Sequence, residues 1–310
     1  NINFISKKKI NHKIYDIIFI GTPPDTHLKI ALQELELSPK VLCIEKPLCE
    51  PNLIKLQEFV KKKKKFNAKI LVGYDHSVGK SATFLKKKLK NIDLKTIQYI
   101  DVEIREHWQG IFNAHPWLDG PHDSYLGFWK RGGGAISEHS HGINIFQFFS
   151  SILEGGRICE VNANIQYINN KNVNYDSICF IQVKTEKGLI GRITQDVVTK
   201  PSSKIAKIQT SDQTFEWHCN FDKQCDAVIE KQESKKNIKK FPKVRADDFI
   251  QEICHIDKIL KNNIEDSPLE LHNSIETMLV ISAAHKSAKE KKTVYINYKN
   301  DTKFTTWLKT

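Results

Sequence analysis

Between residues 15 and 73, short apolar runs alternate with amphipathic stretches at the spacing of a doubly wound parallel α/β sheet. The first run, Tyr15 to Ile20 (YDIIFI), is continuously apolar and β-branched, as expected of a strand buried on both faces, and it stops at Gly21-Thr22-Pro23-Pro24. A helix is predicted over His27 to Leu37, where Leu28, Ala31, Leu32 and Leu35 share one face and Asp25 or Thr26 is placed to cap. Val41 to Ile44 reads as a second buried strand. Pro51 is expected to open another helix through Leu53, Leu56, Phe59 and Val60, closing on Lys61 to Lys65, whose charge suits a helix C-terminus. Lys69 to Gly73 reads as a third strand. Ligands of such sheets bind outside the carboxyl ends of the strands, so Gly21 to Asp25, Glu45 to Leu48 and Tyr74 to Ser77 fall on one functional edge.

From about Leu94 the pattern changes to longer, alternating strands: Lys95 to Ile104, Ile158 to Ile168, Ser177 to Thr185, Gly188 to Val197 and Lys204 to Thr210. Glu186-Lys187-Gly188 supplies a hairpin turn. One helix is predicted over Gly134 to Leu153 and two more over Ala246 to Lys261 and Leu269 to Lys289. The polar stretch Gln232 to Lys240 reads as an exposed loop. The simplest packing is an α+β unit with a large, mainly antiparallel open sheet. With 310 residues, 40% of them hydrophobic, two cores can be built. No apolar run approaches the roughly 18 to 20 residues that span a bilayer, so no membrane partner is expected.

A net charge of +12 raises the possibility of nucleic acid. The lysines instead cluster in runs such as Lys61 to Lys65 and Lys86 to Lys88 at the polar ends of helices, without interleaved aromatics, and read as solvated faces. Seven cysteines, odd in number and without paired ligand spacing, read as reduced thiols of a cytoplasmic protein.

Three motifs carry the chemistry: Gly21-Thr22-Pro23-Pro24-Asp25-Thr26-His27, Cys43-Ile44-Glu45-Lys46-Pro47-Leu48, and the segment from Gly132 to Asn144 (GGGAISEHSHGIN). Together they resemble the Gfo/Idh/MocA oxidoreductases, named for glucose-fructose oxidoreductase, inositol dehydrogenase and a rhizopine catabolism protein. The form Glu-x-Ser-His looks like a subgroup of that family. The resemblance implies a Rossmann domain followed by an α+β substrate and oligomerisation domain, here residues 1–93 and 94–310. It also implies NAD or NADP as cofactor, hydride transfer to or from a sugar, cyclitol or sugar nucleotide, and a homodimer or homotetramer. A non-catalytic sugar- or dinucleotide-binding relative of the same fold is the alternative. The Gly-x-Gly-x-x-Gly turn that opens such domains is missing upstream of Ile14, and Gly132 to Gly134 precedes a helix in the second unit. The Rossmann domain is therefore expected to be incomplete by about one βαβ unit, on the order of 50 to 60 residues, as in a fragment; a truly short protein that does not bind dinucleotide is the alternative. The 310 residues alone are expected to be inactive.

Lys46 emerges just beyond a buried strand, where a desolvated ammonium could exchange a proton with a substrate oxygen; a surface lysine is the plainer reading. A cis Lys46-Pro47 peptide is compatible with the sequence. Glu138 and His141, three apart, would share a helix face, with the carboxylate orienting a neutral imidazole that takes a hydroxyl proton; a buried, satisfied histidine is the rival. The resemblance assigns Thr22, Pro23, Pro24, His27, Glu45 and Lys46 to the cofactor edge and Tyr74, His76 and Asn144 to substrate. In the loop from Arg105 to Arg131, rich in histidine, tyrosine and tryptophan, Trp129 is a candidate to pack on a sugar face, with structural packing as the rival for its tryptophans. Metal readings of these histidines, and of His218, Cys219 and Cys225, lack a fixed ligand interval, and no metal is expected.

Overall fold

The computed structural model describes residues 15–310, apart from 223, 245, 263, 265, 300 and 302; residues 1–14 of the expected first domain lie outside it. The chain opens with β1 (Ile17–Ile20), α1 (Pro24–Leu35), β2 (Val41–Ile44), α2 (Leu53–Lys63), β3 (Lys69–Val72) and α3 (Lys80–Leu89). The three strands pair in parallel in the order β1-β2-β3, with Ile17 opposite Val41 and Val41 opposite Lys69. Helix α1 starts three residues before the predicted His27, because Pro24 fits a first helical turn that needs no N–H there. Helix α2 opens at Leu53 rather than Pro51: the Asn52 side chain accepts hydrogen bonds from the Ile54 and Lys55 amides and caps it.

The second unit runs β4 (Ile97–Arg105), α4 (Trp108–Asn113), α5 (Gly134–Glu138), α6 (His141–Ile152), β5 (Ile158–Asn169), β6 (Asn174–Thr185), β7 (Ile190–Asp196), β8 (Ser203–Thr210), β9 (Thr214–Asp222), β10 (Cys225–Gln232), β11 (Lys235–Pro242), α7 (Ala246–Leu260), α8 (Leu271–Glu290), β12 (Val294–Ile296) and β13 (Leu308–Lys309). Its ten-stranded sheet has the order β11-β10-β9-β8-β4-β7-β6-β5-β12-β13. The β4–β7 pair is parallel and the other pairs are antiparallel. The hairpin at Glu186-Lys187-Gly188 forms as expected, with Gly188 at φ 87°. Residues 232–240, expected as a loop, instead complete the β10–β11 hairpin. Strand β11 is one edge of the sheet, and its lysines are of the kind that disfavours edge-to-edge pairing. The expected single helix over Gly134 to Leu153 is two helices, broken at His139 and Ser140.

One continuous core joins the two sheets. Phe146 and Phe149 of α6 are fully buried against the large sheet, each contributing about 2 to 3 kcal/mol. Gly142 lets α6 approach closely: a Cβ there would lie 3.2 to 3.4 Å from Ile104, Gln195 and Ile193. The Val72 amide donates to Leu269 O at 2.8 Å, tying the entry of α8 to β3. This packing brings the carboxyl edge of the parallel sheet against the start of α6.

Candidate active site

The ladder of the parallel sheet continues one residue past its strands, with Glu45 N donating to Ile20 O and Gly73 N to Ile44 O, both at 2.9 Å. Lys46 therefore leaves the sheet at its edge, followed by a cis peptide to Pro47. Its ammonium does not stand alone: Nζ donates to the Glu138 carbonyl at 2.7 Å and to Glu138 Oε1 at 3.0 Å. The two side chains are 17% and 15% exposed, so water screens the pair weakly.

Glu138 does not orient His141, as the sequence had suggested. Gln195 of β7 donates its side-chain amide to the carbonyls of Ile136 and His139, taking up acceptors that an unbroken helix would use itself. The chain turns at this point, directing Glu138 to Lys46 and His141 to the loop after β3. There His141 Nδ1 stands 3.7 Å from Asp75 Oδ1, and its ring stacks on His76 at 4.3 Å between centroids. Burial, and secondarily the neighbouring His76, keep His141 well below the usual histidine range, hence neutral. His76 behaves oppositely. Burial alone would lower it, but Asp75 Oδ1 at 3.0 Å from its Nδ1, with Cys219 behind, lifts it to about 10. Burial works against charge on Asp75 too, yet the two histidines hold its carboxyl below the ordinary range.

These groups line a cavity of about 610 Å³ shared by both units. Glu252 of α7 faces it, pushed up to about 7 by burial and then by Asp75 and Glu45. Glu45 is raised by burial as well. Lys204 of β8 pairs with Glu106 at 2.9 Å on another wall. Of the residues singled out from sequence, Glu45, Lys46, His76, Glu138 and His141 meet here.

The others lie elsewhere. Tyr74 is fully buried and donates to Ser140 Oγ at 3.2 Å, supporting the turn from behind. Asn144 lies on α6 along a different depression, with Gln147 and Arg157. Trp129 stacks on His285 at 4.4 Å beside a separate cavity of about 960 Å³. Thr22 and Pro23 are exposed at the sheet edge. Pro24 is buried against Gly132, where a Cβ would approach it to 2.6 Å. His27 is enclosed: Nε2 faces Thr22 O at 2.5 Å, and Nδ1 faces Pro47 O at 3.1 Å and Leu48 O at 3.3 Å. It brackets two strand exits and has no nitrogen left for a cofactor. In the aromatic loop, His115 reaches the cavity, whereas Trp108 packs on Phe112 and Tyr175.

Glu252, Lys204 and Gln195 were not among the sequence-derived site residues, and Asp75 was marked only as part of the edge after the third strand. Asp75 carried a local signal, adjoining His76 after the third strand; the other three have none, since each arrives from a distant element. Asp75, His76 and His141 also offer ligand atoms all within 4.8 Å of one another, the one group of this kind among the described residues. The loop histidines and His218, Cys219 and Cys225 form none there.

No family model matches the chain, and no curated protein matches its sequence. Its fold does match solved structures. An NAD-binding oxidoreductase from Klebsiella pneumoniae superposes with a TM-score of 0.71 at 16% identity over 92% of this chain and 81% of that one. A levoglucosan dehydrogenase solved with NADH and levoglucosan gives 0.73 at 15%, covering 91% and 81%. An inositol dehydrogenase homologue from Azotobacter vinelandii, solved with NADH and myo-inositol, gives 0.66 at 14%, covering 90% and 78%. At such identities the likeness establishes a shared fold, in accord with the α/β and open-sheet architecture expected from sequence.

Proposed function

We propose that the chain is an oxidoreductase of the Gfo/Idh/MocA type, using NAD or NADP to move hydride to or from a hydroxyl-bearing or carbonyl carbon of a sugar, cyclitol or sugar nucleotide. The observation that carries this reading is the convergence of Lys46, held by Glu138, and a neutral His141 on one cavity at the carboxyl edge of the parallel sheet. Solved relatives in fold that hold NADH with levoglucosan or myo-inositol support the substrate class.

The residues present fit the nicotinamide end of such a cofactor, through the Glu45–Lys46 turn and the exposed Thr22–Pro23 edge. Among the described residues, the entry of α1 does not fit the cofactor's pyrophosphate. Helix α1 is capped by Pro23 and opens on Pro24, neither of which has an N–H to donate, and it carries Asp25 in its first turn. Bound nicotinamide would supply the hydride acceptor or donor. Lys46 Nζ would hold the substrate oxygen and move its proton, and the carboxylate of Glu138 would fix where that ammonium points. His141 Nδ1, neutral and without a hydrogen-bond partner, offers a second proton acceptor. In the whole protein, Lys46→Ala is expected to lower kcat by about 10²- to 10⁴-fold with the fold retained by circular dichroism. An unchanged kcat removes the assignment.

In this reading residues 1–93 belong to the dinucleotide domain and 94–310 to the substrate domain. Self-association as a dimer or tetramer would use the large sheet, where Phe180, Ile190 and Tyr295 are exposed. A cytoplasmic location is supported by seven unpaired cysteines. Among the described residues no helix is long and apolar enough to cross a membrane.

A further inference from the structure

We propose that Asp75, His76 and His141 form a binding site for one divalent transition-metal cation of the zinc class, with an open coordination position facing the cavity beside Lys46. Two imidazoles and a carboxylate are a donor set suited to such ions. With bonds of about 2.0 to 2.2 Å, neighbouring ligand atoms around a four-coordinate ion stand roughly 3.3 Å apart. Asp75 Oδ1 lies 3.0 Å from His76 Nδ1 and 3.7 Å from His141 Nδ1, which brackets that spacing.

Three further observations point the same way. His141 Nδ1 is a buried polar atom without a hydrogen-bond partner, an arrangement that costs stability unless something else satisfies it. Cys219 Sγ stands 3.9 Å from His76 Nε2 and can take that N–H, as outer partners of ligating histidines do, while a bound cation would displace the proton that Asp75 holds on Nδ1. Seven carboxylates and only three lysines line the cavity, an excess of negative charge in a chain whose formal net charge is +12. The excess suits a cation.

Such an ion would adjoin the proposed reaction site without carrying hydride. A substrate hydroxyl or carbonyl oxygen could occupy the open position, and with the ion at His141 Nδ1 the proton would be moved by Lys46 alone.

The test is metal binding rather than turnover. The whole chain, stripped with a chelator, is titrated with Co²⁺ while visible absorption is followed, and Zn²⁺ is then added as competitor. One Co²⁺ per chain is expected, displaced by Zn²⁺. Asp75→Asn and His141→Gln should each weaken binding at least about tenfold. Cys254→Ser, which removes an exposed thiol, should leave it unchanged. Circular dichroism checks each variant, and His76→Gln replaces either one that does not fold. A wild-type chain that takes up no Co²⁺, or folded ligand variants that bind it as tightly as wild type, overturns the proposal.

Discussion

Lys46 Nζ and Glu138 Oε1 stand 3.0 Å apart across 92 positions of sequence, and the same ammonium reaches the Glu138 carbonyl at 2.7 Å. This pair ties the edge of the parallel sheet to the end of α5. Removing one partner strands the other in a weakly hydrated place, whereas removing both does not. Lys46→Met alone is expected to cost about 1 to 3 kcal/mol in urea denaturation. Combined with Glu138→Gln, the loss should fall short of the sum of the single variants by about 0.5 kcal/mol or more. Strict additivity would mean that the pair is not energetically coupled.

Gln195 is fully buried and holds the break between α5 and α6 through the carbonyls of Ile136 and His139. Gln195→Ala leaves two buried acceptors without that donor, for an expected loss of about 2 to 4 kcal/mol. It should also change the NMR signals of the His141 ring, because the turn sets where that ring sits. An unperturbed His141 spectrum would show that the break forms without Gln195.

Two glycines with positive φ make a matched comparison. Gly134 has φ 80°, and a Cβ there would lie 2.0 Å from Asp176 Oδ1; Gly188 has φ 87° and nothing within 4 Å. Gly188→Ala should cost only the backbone term, about 1 kcal/mol. Gly134→Ala must also displace Asp176 and is expected to cost at least about 3 kcal/mol more. Thermal melts of the two variants should separate them clearly.

Asp176 sets a pH dependence. Burial lifts its carboxyl to about 7, against the backbone hydrogen bond it accepts from Ile136 N at 2.7 Å. Between the ordinary carboxyl value and pH 7 the folded chain keeps a proton that the unfolded chain has released. The stability this group contributes is therefore complete at low pH and lost as pH rises through that window, on the order of 2 to 4 kcal/mol. Asp176→Asn should flatten the corresponding slope in denaturation midpoints measured from pH 4 to 8; an unchanged slope would assign it to other carboxyls.

Much of the fold is legible locally. Val41 to Ile44 is a strand in both readings, and the apolar faces of α1 and α2 bury the residues their spacing indicated, except Leu32, which is half-buried. Strand β11 was missed because its lysines carry no alternating apolar face; it is held as a strand by backbone pairing to β10. The site was half legible. Lys46, Glu138 and His141 stand in recognisable motifs, but the partner of each did not follow from spacing. Glu138 serves Lys46 and not His141, and the carboxylate beside His141 is Asp75, from a loop in the first unit.

What the sequence by itself determined is the alternation of strand and helix, the edge on which Glu45, Lys46, Asp75 and His76 emerge, and the glycines that permit a tight approach at Gly134. These depend on burial periodicity and backbone freedom, which are properties of neighbours along the chain. Only the tertiary structure decided that a helix breaks at His139, that His27 spans two strand exits, and that Trp129 and Asn144 belong to other depressions. Those outcomes depend on where hydrogen-bonding side chains, the donor Gln195 and the acceptor Asp176 among them, are carried by a separate sheet. A hydrogen bond closes over a few ångströms whatever the number of residues between its ends.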